Sequence, residues 1–276
     1  MAIKWFEDEA DRLTRDLDKL TGKQLREIQS LLTAARNELI QQLATTRGVF
    51  TVDYLNSVLA SVERDIRMIT NRLGSIITGT LEDSAETATE ATDRIAQRFN
   101  IPTIAGATRA IDLIQLQVLA DFQLDLITKG ITEPVKTDIK NTLRTGYLTG
   151  KSGFDIMKQI ESKEIDPLSF KSKFHRAEAI TRTEVGRIAG IVQRNRAQDY
   201  SSDSDEPWRH KWRSSQDDRV RPSHVDADLA GPLPIDKPFD IGGYQAFYPH
   251  DPGLPAEESV NCRCVVLSIP PGAELT

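Results

Sequence analysis

The chain has 276 residues, enough for two domains that each bury a core, and a formal net charge of −6 at pH 7. An acidic total of this size argues against general coating of nucleic acid, which calls for a strongly basic surface. Cys262 and Cys264 are the only cysteines and stand one residue apart, so a disulfide framework is excluded and a bridge between them would be strained.

Glu7, Asp8 and Glu9 stand where a secretory leader would carry a basic stretch and then an apolar run. No stretch approaches the roughly 18 consecutive apolar residues of a membrane helix. The expectation is a soluble protein made in the cytoplasm, with no membrane segment. Ten of the thirteen prolines lie from Pro207 onward, which puts a boundary near residue 200.

Phe6, Ala10, Leu13, Leu17 and Leu20 recur at alternating spacings of four and three, the stripe of an amphipathic helix. Thr21-Gly22 interrupts it before a second stripe begins at Leu25, which predicts two helices or one with a break. Thr51 can cap the next helix, where Val52, Leu55, Leu59, Val62, Ile66, Ile69, Leu73 and Ile76 form an unbroken heptad seam. A thinner Ala/Thr-bearing row runs on to Phe99, and Asn100-Ile101-Pro102 ends it.

Apolar residues occupy more than one helical face across 107–129, which predicts a helix in the middle of a bundle. Gly130 reads as its stop, Glu133-Pro134 as the start of the next helix, and 146–153 as a glycine-bearing connection. Gly150-Lys151-Ser152 imitates the end of a phosphate loop. Thr145 stands where that motif needs a glycine, and no strand leads in, so a nucleotide site is rejected. Ile165-Asp166-Pro167 opens a long amphipathic helix reaching about Tyr200, with Lys171, Lys173, Arg187 and Arg194 on its other faces. A solvated face is the bland reading of those cations, contact with phosphates the sharper one.

Past a polar linker at 201–207 the helical period disappears. Trp208, His210 and Trp212 alternate with Arg209, Lys211 and Arg213, so a strand here sends rings inward and cations outward. Residues 244–248 and 260–269 are further strand candidates, separated by Gly- and Pro-bearing turns. The fold class expected is α+β. Residues 1–164 form a helical docking region, 165–200 a basic amphipathic helix, 207–269 a small loop-rich β-containing module and 270–276 a tail. A module of about seventy residues is marginal on its core alone, so a metal staple would help.

Two patches concentrate the versatile residues of that module: the run from Asp217 to His224, and Asn261-Cys262-Arg263-Cys264. His210, His224, Cys262 and Cys264 supply two imidazoles and two thiolates, a suitable set for structural zinc, with His250 as an alternative ligand. Their spacing matches no standard finger. The bland reading makes the cysteines small buried apolar residues and has the histidines hydrogen-bond loops. Catalysis can be drawn from Asp217, Asp218 and His224, or from Cys262 with His224 as its base, yet nothing in the sequence brings them together. Asp217, Asp218, Arg219 and Arg221 are more simply ion pairs and side-chain-to-backbone bonds that hold an irregular loop. Asn261 and Arg263 are counted in the same structural motif.

Together these residues resemble the Mu F-like minor head protein family of tailed bacteriophages. The resemblance rests on Arg182-Thr183-Glu184, Asn195, Trp212, the 217–224 run, Gly231, Phe239 and Asn261-Cys262-Arg263-Cys264, roughly residues 175–266. It implies a non-enzymatic virion protein of the capsid interior, associated with the portal, that acts in head morphogenesis and in genome packaging or delivery. Major capsid or scaffolding protein are further partners it suggests. A second reading is a virion protein that contacts packaged double-stranded DNA through the cations of the basic helix and of the 208–213 strand. A metal-dependent hydrolase is the third.

Overall fold

The computed structural model describes residues 2–44, 51–104, 111, 113–164 and 167–273, with backbone alone for 2–3, 161–164 and 167–174. The chain divides into two compact units. One comprises residues 1–22, 78–120 and 179–276, the other 23–77 and 121–178. Three long helices, α1 (Ala2–Ala44), α2 (Val52–Arg98) and α6 (Pro167–Ser202), contribute residues to both. Among the described residues no helix is long and apolar enough to cross a membrane.

Helix α1 runs through Thr21-Gly22 without the break allowed by the sequence. The Thr21 hydroxyl donates to the Leu17 carbonyl at 3.0 Å, which satisfies it inside the helix and leaves the ladder intact. Thr51 caps α2, its Oγ1 accepting the Tyr54 N–H at 3.2 Å. At the far end Asn100 takes a left-handed φ of 57°, and the Ile101 N–H returns to the Ala96 carbonyl at 2.9 Å, closing the helix just before Pro102.

In the unit built on residues 23–77 and 121–178, the seam residues Leu55, Val62, Ile66, Ile69 and Leu73 are buried within the chain, Leu59 and Ile76 are half-buried, and Val52, in the first turn, is exposed. Helix α3 (Leu113–Ile127), whose residues to Ala120 belong to the other unit, differs from the mid-bundle expectation: Leu116, Ala120 and Ile127 are buried, but Leu113, Ile114, Val118 and Phe122 are exposed. Gly130 is no stop either. A π-helical turn at Thr128–Thr132 carries the chain directly into α4 (Glu133–Leu148), and its wider hydrogen-bond step absorbs the N–H that Pro134 lacks. Gly130 has a packing reason instead, since a Cβ there would meet Arg176 Nε at 2.7 Å. The imitation phosphate loop resolves into helix punctuation. Gly150, at φ +67°, and Lys151 return their N–H groups to Tyr147 and Gly146, and Ser152 caps α5 (Gly153–Glu164) through the Asp155 N–H.

In the other unit the helical segments are tied to one another by polar bonds. Arg94 Nε donates to Glu9 at 2.8 Å, Arg196 forks onto Asp93 at 2.8 and 3.0 Å, and the Tyr200 hydroxyl reaches Asp93 at 2.7 Å. Ser84 Oγ donates to the Val185 carbonyl at 2.8 Å. Against this framework sits a three-stranded antiparallel sheet of order β2 (Leu233–Pro234), β1 (Arg209–Arg213), β5 (Val265–Ile269). A hairpin of β3 (Phe239–Ile241) and β4 (Tyr244–Ala246) completes the module, with the short helices α7 (Pro222–Leu229) and α8 (Ala256–Ser259). The α+β expectation is met, and along β1 the predicted alternation holds: Trp208, His210 and Trp212 are buried, while Arg209, Lys211 and Arg213 are half-buried. Helix α7 was not foreseen. Arg221 is extended ahead of Pro222, which occupies the first helical position where its missing N–H costs nothing.

Candidate metal centre

The register of β1 on β5 decides where the cysteines lie. Arg213 pairs with Val265 and Trp212 with Val266, so Asn261-Cys262-Arg263-Cys264 enters the sheet beside the end of β1. Helix α7 supplies His224 from its first turn. His224, Cys262 and Cys264 are all buried, and their ligand atoms lie within 4.8 Å of one another. His224 Nδ1 is 3.3 Å from Cys264 Sγ and 3.4 Å from Cys262 Sγ, and the Cys264 N–H donates to Cys262 Sγ at 3.3 Å. Both cysteines are free. Trp212 stands edge-on to the His224 ring at 5.1 Å, and Phe239, Ile241, Leu254 and Val266 complete the apolar surroundings.

The far side of His224 is also held. Its Nε2 lies 3.1 Å from Glu258 Oε2, which accepts the Ser223 hydroxyl at 2.8 Å. Cys262 is held well below the usual thiol range, first by its hydrogen bond with Cys264 and then by His224, against the opposing effect of burial. Cys264 is pushed up by that same neighbour and by burial.

Of the other two histidines considered as ligands, His210 is not part of this cluster. Its Nε2 donates to the Lys237 carbonyl at 2.7 Å, its ring packs 4.3 Å from Phe239, and burial lowers its pKa to about 4. His250 is closer to the chemistry. It lines one small cavity with Cys262, Arg263, Cys264, Val185 and Gly186, its Nδ1 makes no hydrogen bond, and burial lowers its pKa.

The acidic and basic residues of the two patches form the frame. Arg263 grips both oxygens of Asp217, at 2.7 and 2.5 Å, and holds that carboxyl down at about 2. Asp217 also accepts the Arg219 N–H at 3.0 Å, and Arg221 donates to the Val260 carbonyl at 2.8 Å. Asn261, at φ 60°, docks on α6: its N–H donates to Thr183 Oγ1 at 3.0 Å and its side-chain oxygen accepts from Arg182. Asp218 is exposed.

The cations weighed as phosphate contacts have partners inside the chain. Arg187 binds the buried Glu184 at 3.0 Å, and Arg194 lies 4.0 Å over the Phe247 ring. Arg209 donates to the Ala273 carbonyl at 2.8 Å, Lys211 lies 3.4 Å from Asp228, and Arg213 lies 3.8 Å from Glu7. The side chains of Lys171 and Lys173 lie outside the described residues.

Sequence reasoning missed three contributors. Gly186 and Gly190, four apart on α6, let the 248–250 segment approach closely: added Cβ atoms would meet His250 Nε2 at 2.5 Å and Tyr248 Cδ2 at 2.7 Å. Two glycines inside one helix each cost about 1 kcal/mol against alanine, and that cost was the available signal. Asp228 is the third, a buried carboxylate on α7 that accepts from Ser214 N at 3.0 Å, Ser214 Oγ at 2.9 Å and Gln216 Nε2 at 2.6 Å.

Comparison with curated proteins returns no match, and comparison with solved structures returns none either. The family model for phage Mu protein F like protein matches residues 137–267, a span that includes Arg182, Asp217, His224 and both cysteines. Residues 137–267 are thus similar to the phage Mu protein F like family, a family of phage head proteins.

Proposed function

We propose that the protein is a minor head protein of the capsid interior that binds the portal and acts in head morphogenesis and in genome packaging or delivery. The family match over 137–267 carries this reading. Its characteristic residues frame a cluster whose sulfur-bearing side chains are almost wholly covered, which suits a structural part better than an enzyme. Helix α3 adds a supporting feature, because Leu113, Ile114 and Val118 are 58%, 71% and 61% exposed. Apolar side chains left in water along one helix are a common mark of a protein contact surface.

Co-expression with the portal protein tests the proposal. The expected result is stoichiometric co-purification at moderate salt, lost with Val118→Asp while the thermal transition is kept. No complex with the unaltered chain overturns portal binding, and a complex that survives Val118→Asp removes α3 from the contact. Truncating residues 1–100 would be uninformative, since Glu9, Ser84, Asp93 and Arg94 belong to the same packed unit as the C-terminal module.

Contact with packaged duplex DNA is the second reading. Arg187, Arg194, Arg209, Lys211 and Arg213 already have intramolecular partners, which phosphates would have to displace, so portal docking is favoured. DNA contact predicts an affinity that falls steeply with salt.

A further inference from the structure

We propose that His224 Nδ1, Cys262 Sγ and Cys264 Sγ bind one structural zinc ion, and that His250, which lines the same cavity but lies outside the three-residue group, moves in as its fourth ligand. This inference stands on the geometry of the module and is independent of portal binding.

Two sulfurs share one ring nitrogen, at 3.3 and 3.4 Å. A neutral imidazole nitrogen has either one lone pair or one proton, so it can satisfy one thiol in a conventional hydrogen bond, not two. An ion placed among the three atoms would engage both sulfurs and the nitrogen at once. With Zn–S near 2.3 Å and Zn–N near 2.0–2.1 Å, a tetrahedron sets nitrogen and sulfur about 3.5 Å apart. The observed separations need adjust by only about 0.2 Å to reach it.

The surroundings are those of a metal site. Glu258 Oε2 lies 3.1 Å from the other nitrogen of His224, so a proton carried on that side would face a carboxylate and leave the Nδ1 lone pair for the ion. Ser223 holds Glu258 in turn, and the Cys264 N–H already points at Cys262 Sγ. On binding, both thiols surrender their protons to solvent and no other bond changes. His250 is buried at 1% exposure, lines the cavity that holds both sulfurs, and has an unpartnered Nδ1. Its backbone sits at φ +66°, an uncommon conformation for a histidine. Thiolate and imidazole ligands select zinc over magnesium or calcium. A nucleophilic role for Cys262 fits poorly, because both sulfur-bearing residues are almost wholly covered, at 4% and 6% exposure.

The test uses the full-length, untagged chain. Elemental mass spectrometry should find about one zinc per chain, retained in His210→Gln and lost in Cys262→Ser/Cys264→Ser. Because the double variant can fail to fold, cobalt(II) is titrated into metal-stripped wild type. Intense thiolate-to-cobalt charge-transfer bands with tetrahedral d–d bands are expected, and His250→Ala should shift the d–d bands. Glu258→Ala should weaken zinc binding roughly 10–100-fold. Wild type free of zinc and lacking charge-transfer bands overturns the site, as does zinc retained by the double variant. A cobalt spectrum unchanged by His250→Ala overturns the fourth ligand.

Discussion

Gly186 and His250 touch with no side chain between them: a Cβ on Gly186 would fall 2.5 Å from His250 Nε2 and 2.6 Å from its Cδ2. Alanine in a helix interior is ordinarily worth about 1 kcal/mol over glycine. Here the added methyl must move a buried ring, and overpacking of that kind costs about 1–3 kcal/mol. Gly186→Ala is therefore expected to lower stability by about 1 kcal/mol net in urea titration. Gly79 on α2 has nothing within 4 Å of its Cβ position, so Gly79→Ala should raise stability by up to about 1 kcal/mol. Opposite signs for two glycines on long helices would establish that the α6 glycine serves the contact with the 248–250 segment.

A separate expectation concerns pH. Burial lowers the His210 pKa to about 4, opposed by its bond to the Lys237 carbonyl, with Arg194 lowering it further and Asp236 raising it. The unfolded chain takes up the same proton near 6.5. Below that pH the unfolded state binds the proton first, so His210 contributes stability that is intact above pH 6.5 and is lost as pH falls toward 4. The loss has an upper bound of about 3 kcal/mol at 1.36 kcal/mol per unit. His210→Gln retains a donor for the Lys237 carbonyl and has no proton to gain. Urea midpoints at pH 7 and pH 5 should therefore fall further in wild type than in the variant. Acid effects common to both proteins, metal release included, cancel in that difference. Equal falls would refute the assignment.

The long helices were legible in the sequence because their signals are local. The Thr51 cap, the stop at Asn100-Ile101-Pro102 and the buried row from Leu55 to Leu73 follow from spacing and capping chemistry alone. Local signals also misled. Thr21-Gly22 and Gly130 read as breaks, yet a back-bonded hydroxyl carries the helix past the first and a π turn past the second. Alternation in β1 was readable, but its pairing with β5 was not, and that pairing sets Cys264 beside His224, forty residues earlier in the chain. The choice between His210 and His250 as ligands needed the same long-range information. Both are buried histidines in loop-rich sequence, and what separates them is the cavity that His250 shares with both cysteines.

Asp228 offers the most direct test of how the module is held. Its Oδ2 accepts from the Ser214 N–H and hydroxyl and from the Gln216 amide, and Lys211 lies 3.4 Å from its other oxygen. These bonds fasten the segment leaving β1 to α7, the helix that carries His224. Replacing Asp228 with Ala leaves the buried Ser214 donors without an acceptor, and an unsatisfied buried group costs about 1–3 kcal/mol, more where charge is involved. Asp228→Ala should therefore destabilise the protein by about 2–4 kcal/mol. Asp228→Asn keeps one acceptor oxygen at the cost of facing an amide toward donors, and should fall between wild type and the alanine variant. Hydrogen exchange at the Ser214 amide is the local readout: protection should drop in both variants, further in Asp228→Ala. Unchanged protection there would mean that strand pairing, and not the carboxylate, holds the end of β1.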